Sequence, residues 1–138
     1  MLLDAFGDLN WPAVLVAGLA YFGIGALWYT DALMGRQYRS ALGLDPDVKG
    51  TPDMTPLAIN FVGWLVSAVV LGLISVAVGA DSFADGLVLG LVVAVGLVVT
   101  QMLVTTGYEG RGNALFKVNA PYVIIGYAVM GVILAVWR

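Results

Sequence analysis

Residues 86–108 read GLVLGLVVAVGLVVTQMLVTTGY, and these 23 residues carry no charged side chain. A lipid hydrocarbon core about 30 Å thick is crossed by a helix of roughly 20 apolar residues. Residues 9–30, 54–80 and 118–137 form three more uncharged runs of similar length. These runs lack the polar face that helices of a soluble bundle present to water. The sequence therefore predicts an all-α membrane protein with four transmembrane helices in a compact bundle.

The composition supports this prediction and excludes several kinds of chemistry. The chain is 61% hydrophobic and only 11% charged, whereas soluble domains carry about 25% charged residues. It has no cysteine and no histidine, and its net charge is −3. We therefore expect no disulfide, metal site or cofactor, and no nucleic-acid partner. The N-terminus lacks the basic start of a signal peptide, so the first run is expected to remain as a membrane helix.

We predict one transmembrane domain, residues 1–138, with helices at approximately 11–29, 56–78, 84–106 and 114–137. The longest connection has room for a short interfacial helix at about 31–42, with Arg36 and Arg39 on one face. Asn113 is expected to cap the fourth helix, and Pro121 to loosen its first turns.

Basic residues near helix ends usually stay on the cytoplasmic side of a membrane. The connection between helices one and two, and that between helices three and four, hold five of the six basic residues: Arg36, Arg39, Lys49, Arg111 and Lys117. Aromatic residues fit the same arrangement, with Trp11 and Trp137 at the outer surface and Trp28, Tyr29 and Tyr108 at the inner one. We therefore expect a multi-pass protein of a bacterial cytoplasmic membrane, with both termini outside.

Small residues mark the faces on which membrane helices pack, because lipid supplies no hydrophobic drive for association. When successive residues are placed 100° apart around each predicted helix, the small residues fall on one face. The predicted packing residues are Gly18, Gly25, Gly63, Ser67, Gly86, Gly90, Ala94 and Gly126. These faces predict a compact bundle, one that self-associates or joins a larger membrane complex, with membrane lipids around it.

Polar residues within the apolar runs suggest two roles. The candidates are Asn60, Gln101, Thr105, Asn119 and Tyr122. They either form hydrogen bonds between helices or line a cavity for a small solute that enters from the cytoplasm. The membrane core holds no charged residue, which disfavours a proton-coupled pump. No candidate nucleophile has a base at its depth, so we expect no catalytic residue and no enzyme.

A second group of polar residues lies at the predicted inner surface, and comprises Arg36, Arg39, Glu109, Arg111, Asn113 and Lys117. Three interpretations are open for this group. In the first, the Glu109 carboxylate pairs with the cations and holds together the connections between helices one and two and between helices three and four. In the second, the cations bind a lipid phosphate. In the third, the segment around Glu109 is only a solvated turn.

Three segments resemble a known family. They are NWPAVLVAGLAYFGIGALWYTDALMGRQY (residues 10–38), YEGRGNALFKVNAPY (108–122) and MGVILAVWR (130–138). The chain resembles the bacterial membrane family called domain of unknown function 1761. The points of resemblance are Asn10-Trp11, Gly25 with Trp28-Tyr29, Gly35 before a basic residue, Glu109-Gly110-Arg111, Asn119 and Tyr122. Asp31 departs from the family, which often has proline there. The resemblance implies a four-helix membrane protein and assigns no activity.

Three functional hypotheses follow from the sequence. The leading one is a non-enzymatic membrane module that self-associates or belongs to a complex. The second is a carrier or binding site for a small uncharged or amphiphilic solute. The third is a lipid-headgroup binder or enzyme at the inner surface.

Overall fold

The computed structural model describes residues 2–47, 54–110 and 112–137. Its helices are α1 (Ala5–Asp8), α2 (Trp11–Trp28), α3 (Gly35–Ala41), α4 (Met54–Val78), α5 (Phe83–Glu109) and α6 (Ala114–Val136). Among the described residues, four helices are long and apolar enough to cross a membrane. The predicted all-α class with four long helices and a short helix between the first two is confirmed.

Helix α6 is the centre of the bundle. It packs against α2, α4 and α5, whereas α4 and α5 scarcely touch each other. Half of its apolar window is buried in the protein, against 11% for α5. The bundle is therefore organised around α6, with α5 attached to it from the side.

The contact between α5 and α6 is a contact of backbones. A Cβ atom added at Gly86 would collide with the carbonyl oxygen of Gly131, and one added at Gly131 would collide with that of Gly86. A Cβ at Gly90 would meet the carbonyl oxygen of Tyr127. Such close approach maximises van der Waals contact where lipid gives no hydrophobic drive. The sequence predicted Gly86 and Gly90 on this face but did not single out Gly131.

Helices α2 and α6 pack through two reciprocal tyrosine–glycine pairs. A Cβ at Gly126 would lie 2.5 Å from the Tyr21 ring, and a Cβ at Gly25 would lie 2.8 Å from the Tyr122 hydroxyl. On each helix the tyrosine and the glycine are four residues apart, which is about one turn. The two tyrosine rings meet edge to face, with centroids 4.9 Å apart. Gly18, in turn, packs against Leu65 of α4.

The predicted packing face of α4 is partly wrong. Gly63 is exposed and has open space around it, and Ser67 is only half-buried. The buried face of α4 contains Ala68, Leu71, Gly72 and Ser75. This face is also made mostly of small residues, and of the predicted stripe it keeps Ser75 while Gly63 lies outside it.

Helix α5 contains a wide π-helical segment, Ala94–Val99. In such a segment the backbone N–H groups donate to the carbonyl five residues earlier rather than four. The residues that face the bundle after the segment are therefore shifted by one position along the chain. Ala94, the first residue of the segment, is buried as predicted; after the segment, Gln101 and Thr105 are exposed. Met102 and Thr106 take the inward positions. The stripe drawn at 100° per residue is therefore wrong beyond Ala94.

Two helix starts differ from the sequence-based expectations. Helix α3 begins at Gly35 rather than near residue 31, because the amides of Met34 and Gly35 bond back to Trp28 and Thr30 and form turns. Asn113 precedes α6 but makes no side-chain hydrogen bond to it, so the predicted cap is not formed. At the other end of the bundle, Asn10 does cap α2.

Candidate functional site

A cavity of about 400 Å³ lies where α2, α4 and α6 meet the short helix α3. Glycine and alanine on one side of α2 leave the space, larger side chains form its walls, and it is open where Ala26, Leu57 and Asn60 are exposed. The lining residues are Phe22, Gly25, Ala26, Tyr29, Tyr38, Leu57, Asn60, Trp64, Asn119 and Tyr122. We call this space the aromatic cavity.

Hydrogen bonds between α2 and α6 fix one wall of the aromatic cavity. The Tyr29 hydroxyl donates to Oδ1 of Asn119 at 2.5 Å. One residue earlier, Nε1 of Trp28 donates to the carbonyl oxygen of Val118 at 2.8 Å. That carbonyl lies in the turn before Pro121, where the proline removes a backbone donor from α6. The carbonyl that Pro121 deprives of its helical donor is that of Lys117, so the Trp28 bond is an additional contact between α2 and α6.

Five aromatic side chains form most of the remaining wall. The Tyr29 ring meets those of Tyr38 and Tyr122 edge to face, with centroids 4.8 Å and 5.5 Å apart. On the opposite side, Phe22 and Trp64 are 4.9 Å apart in the same geometry. Edge-to-face pairs of this kind are favourable, each by about 0.5–1.5 kcal/mol. The walls of the cavity are therefore aromatic rings that pack against one another.

The polar groups of the cavity carry no charge. Its described lining contains two amides and three phenols, and no Asp, Glu, Lys or Arg. The Asn119 oxygen is bound to Tyr29, whereas the Asn60 amide makes no hydrogen bond to any described residue. Burial raises the pKa of Tyr29 to about 12, with a further contribution from the nearby Tyr38. The Tyr29 phenol thus stays protonated and donates at neutral pH.

The structure divides the five candidates for a polar cavity. Asn60, Asn119 and Tyr122 line the aromatic cavity. Gln101 and Thr105 do not: they are exposed on α5, because the π-helical segment turns them away from the bundle. The other aromatic residues of the lining, Phe22, Tyr29, Tyr38 and Trp64, are not among the predicted cavity residues. Their spacing was a usable signal, since Phe22 and Tyr29 lie seven residues apart, on one face of α2.

The structure also divides the predicted inner-surface group. Arg39 donates to Asp31 at 2.6 Å and to the carbonyl oxygen of Pro46, so it ties α3 to its flanking turns. Arg36 pairs with Asp47 at 2.5 Å, and that carboxylate raises the pKa of the Arg36 guanidinium. Arg36 and Lys117 line one cleft, which Glu109 and Asn113 do not join. Arg111 lies outside the described residues.

Comparison with known proteins gives a family and no activity. A family model described as "Protein of unknown function (DUF1761)" matches residues 12–135, which is most of the chain. No curated protein and no solved structure matches the chain. Several residues that carry the sequence resemblance, among them Gly25, Tyr29, Asn119 and Tyr122, line the aromatic cavity. The chain belongs to the DUF1761 family of proteins of unknown function.

Proposed function

We propose that this protein is a non-enzymatic membrane module that binds a small uncharged or amphiphilic molecule in the aromatic cavity. The observation that carries the proposal is an apolar, ring-walled space that also contains the amide of Asn60, which bonds to no described residue. Known ligand sites have this character, with mostly apolar walls and a few polar groups that fix orientation.

The lining favours an uncharged head group on the bound molecule. A charged group would leave water for a site in which no described lining residue offers an opposite charge, and that transfer is costly. An amide or hydroxyl head could exchange hydrogen bonds with Asn60 and Asn119, while an apolar tail packs against Phe22 and Trp64. Among the described lining residues there is no Asp, Glu, Lys, Arg or His, so the tyrosine phenols are the only described groups there that general acid–base catalysis could use.

Most of the glycines that suggest self-association make contacts within one chain. Five of the six glycines that suggest an interface between copies are packed within one chain, against Leu65, Tyr122, Gly131, Tyr127 and Tyr21, while Gly63 has open space around it. Those faces are therefore occupied before a second copy arrives. For the orientation, we propose that α3 faces the cytoplasm, because the basic residues concentrate at its end of the bundle. The cavity then lies in the cytoplasmic half of the membrane.

Three probes with the same tail test the proposal: hexanamide, hexylammonium and hexanoate. A ligand that binds only the folded state raises the unfolding temperature, which is measured for the purified protein in detergent. We expect hexanamide to raise it more than either charged probe does. We also expect Asn60→Leu to weaken hexanamide binding roughly three- to tenfold, since one amide hydrogen bond is lost.

A filled cavity supplies the decisive control. Ala26 lines the cavity, so Ala26→Trp is expected to abolish the response to hexanamide. Leu27 is the next residue and is 65% exposed, so Leu27→Trp adds an indole outside the cavity and should keep the response. If the two variants respond equally, hexanamide acts on the micelle or the protein surface, and the proposal fails.

A further inference from the structure

A second cleft lies on the other side of α3 from the aromatic cavity. Its volume is about 580 Å³. It is bounded by α3, by Pro46 and by the first turns of α6, and its lining residues are Arg36, Gln37, Ser40, Ala41, Pro46, Ala114, Lys117 and Val118. Tyr38, on another face of α3, points to the aromatic cavity instead. We call this second space the basic cleft.

The polar side chains of the basic cleft suit an anion. All four of them, Arg36, Gln37, Ser40 and Lys117, can donate hydrogen bonds, and none of the described lining residues is a carboxylate. Lys117 forms no ion pair with any described residue. Arg36 gives one of its guanidinium nitrogens to Asp47, but a guanidinium has five N–H donors, so others remain available.

The position of the basic cleft selects the kind of anion. Lys117 lies in the first turn of α6, at one end of a candidate membrane span, which is the depth of lipid head groups. Ala41, Ala114 and Val118 add apolar surface beside the donors. A hydrated inorganic ion gains nothing from such surface, whereas the glycerol and upper acyl carbons of a lipid do.

We propose that the basic cleft binds the phosphate of an anionic phospholipid, with Lys117 and Arg36 as its cationic contacts. Hydrogen bonds between these cations and a phosphate are charge-assisted and stronger than neutral ones. This site is separate from the aromatic cavity, and its test does not depend on a ligand there. Inorganic phosphate shares the same chemistry, so the experiment includes it as an arm.

Native mass spectrometry of the intact protein in detergent provides the test. The protein is offered phosphatidylglycerol and phosphatidylcholine with identical acyl chains, and separately phosphatidylglycerol with inorganic phosphate. We expect preferential retention of phosphatidylglycerol, and no displacement by inorganic phosphate at equal concentration. Lys117→Gln should lower that retention about fivefold, while Lys117→Arg should keep it.

A charge-compensated variant separates the site from the net charge. Asp81 is exposed in the turn before α5, at the opposite end of the bundle from Lys117. Lys117→Gln combined with Asp81→Asn restores the net charge of the native chain. We expect the double variant to bind as poorly as Lys117→Gln alone. Recovery in the double variant, equal retention of the two lipids, or displacement by inorganic phosphate would overturn the proposal. Unfolding temperatures of all variants report whether the fold is intact.

Discussion

Asn119 joins α6 to the end of α2 through a single side-chain hydrogen bond, and the position of the cavity wall depends on that bond. Its oxygen accepts from the Tyr29 hydroxyl, and the Tyr29 ring contacts two further tyrosines of the lining. Because burial raises the Tyr29 pKa to about 12, this donor is present throughout the neutral range. One hydroxyl therefore links an inter-helix contact to the geometry of the cavity.

We predict that Tyr29→Phe lowers the free energy of unfolding by about 1 kcal/mol, since it keeps the ring but removes the donor to Asn119. Denaturant unfolding in mixed micelles measures the change. Tyr108→Phe is the matched control, because Tyr108 is 90% exposed and lies outside the cavity. Equal effects of the two substitutions would show that the Tyr29 hydrogen bond contributes nothing to stability.

Single residues also show what the sequence could predict. Asn60, Asn119 and Tyr122 were chosen because a polar group is rare in an apolar run, and all three line the aromatic cavity. Tyr29 was assigned to the membrane surface instead, since aromatic residues at helix ends commonly form interfacial belts. Its partnership with Asn119 depends on the packing of two helices that are distant in sequence, and one-dimensional periodicity does not contain that information.

Among the elements, α5 is held to α6 by glycine rather than by large side chains. The carbonyl groups of Gly86 and Gly131 lie where a Cβ on the opposite helix would have to be. A methyl group at either position forces the backbones apart. This interface therefore tolerates less change in volume than an interface of interlocking side chains.

Gly131→Ala is accordingly expected to destabilise the bundle by about 1–3 kcal/mol, the usual cost of overpacking. Gly63→Ala is the control: it adds the same methyl group to a long helix, at a position with nothing within 4 Å. Unfolding of both variants in the same micelles measures the difference. If Gly63→Ala costs as much as Gly131→Ala, helix–helix contact is not what limits the residue at position 131.

The π-helical segment of α5 is the element-scale feature that the sequence did not reveal. Residues 94–99 read AVGLVV, which contains no proline and no polar residue to mark a wide turn. The side chain of Thr100 donates to the carbonyl oxygen of Val95 at 2.9 Å, inside that turn. Such a bond forms only after the helix has widened. The spacing of residues therefore does not predict that Met102, rather than Gln101, faces the bundle.

Deletion of Gly96 tests this account of α5. Removing one residue from the wide segment would restore a regular helix while Met102 and Thr106 still face the bundle. We therefore expect the free energy of unfolding to fall by no more than about 1 kcal/mol. Deletion of Val129 from α6, whose described residues are α-helical throughout, should cost more than about 4 kcal/mol, because every later contact rotates. Comparable losses of unfolding free energy from the two deletions would show that the wide segment does not set which residues of α5 face the bundle.

At the scale of the whole molecule, the distribution of charge predicts how the bundle is inserted. Native cysteine is absent, so single cysteines report their own surroundings. Leu44 follows α3 and is 57% exposed, while Asp81 is exposed at the other end of the bundle. We predict that a membrane-impermeant maleimide on intact cells labels Asp81→Cys and not Leu44→Cys. The reverse pattern would invert the proposed orientation and place the aromatic cavity in the outer half.

Photolabelling tests most directly whether α2, α4, α6 and α3 form a binding site for an uncharged amphiphile. A diazirine-bearing analogue of hexanamide is irradiated with the purified protein, and the adducts are mapped by mass spectrometry. We predict adducts on cavity residues such as Phe22, Tyr29 and Trp64, lost in Ala26→Trp and kept in Leu27→Trp. Adducts spread over exposed positions such as Leu97, and equal in the two variants, would contradict the claim.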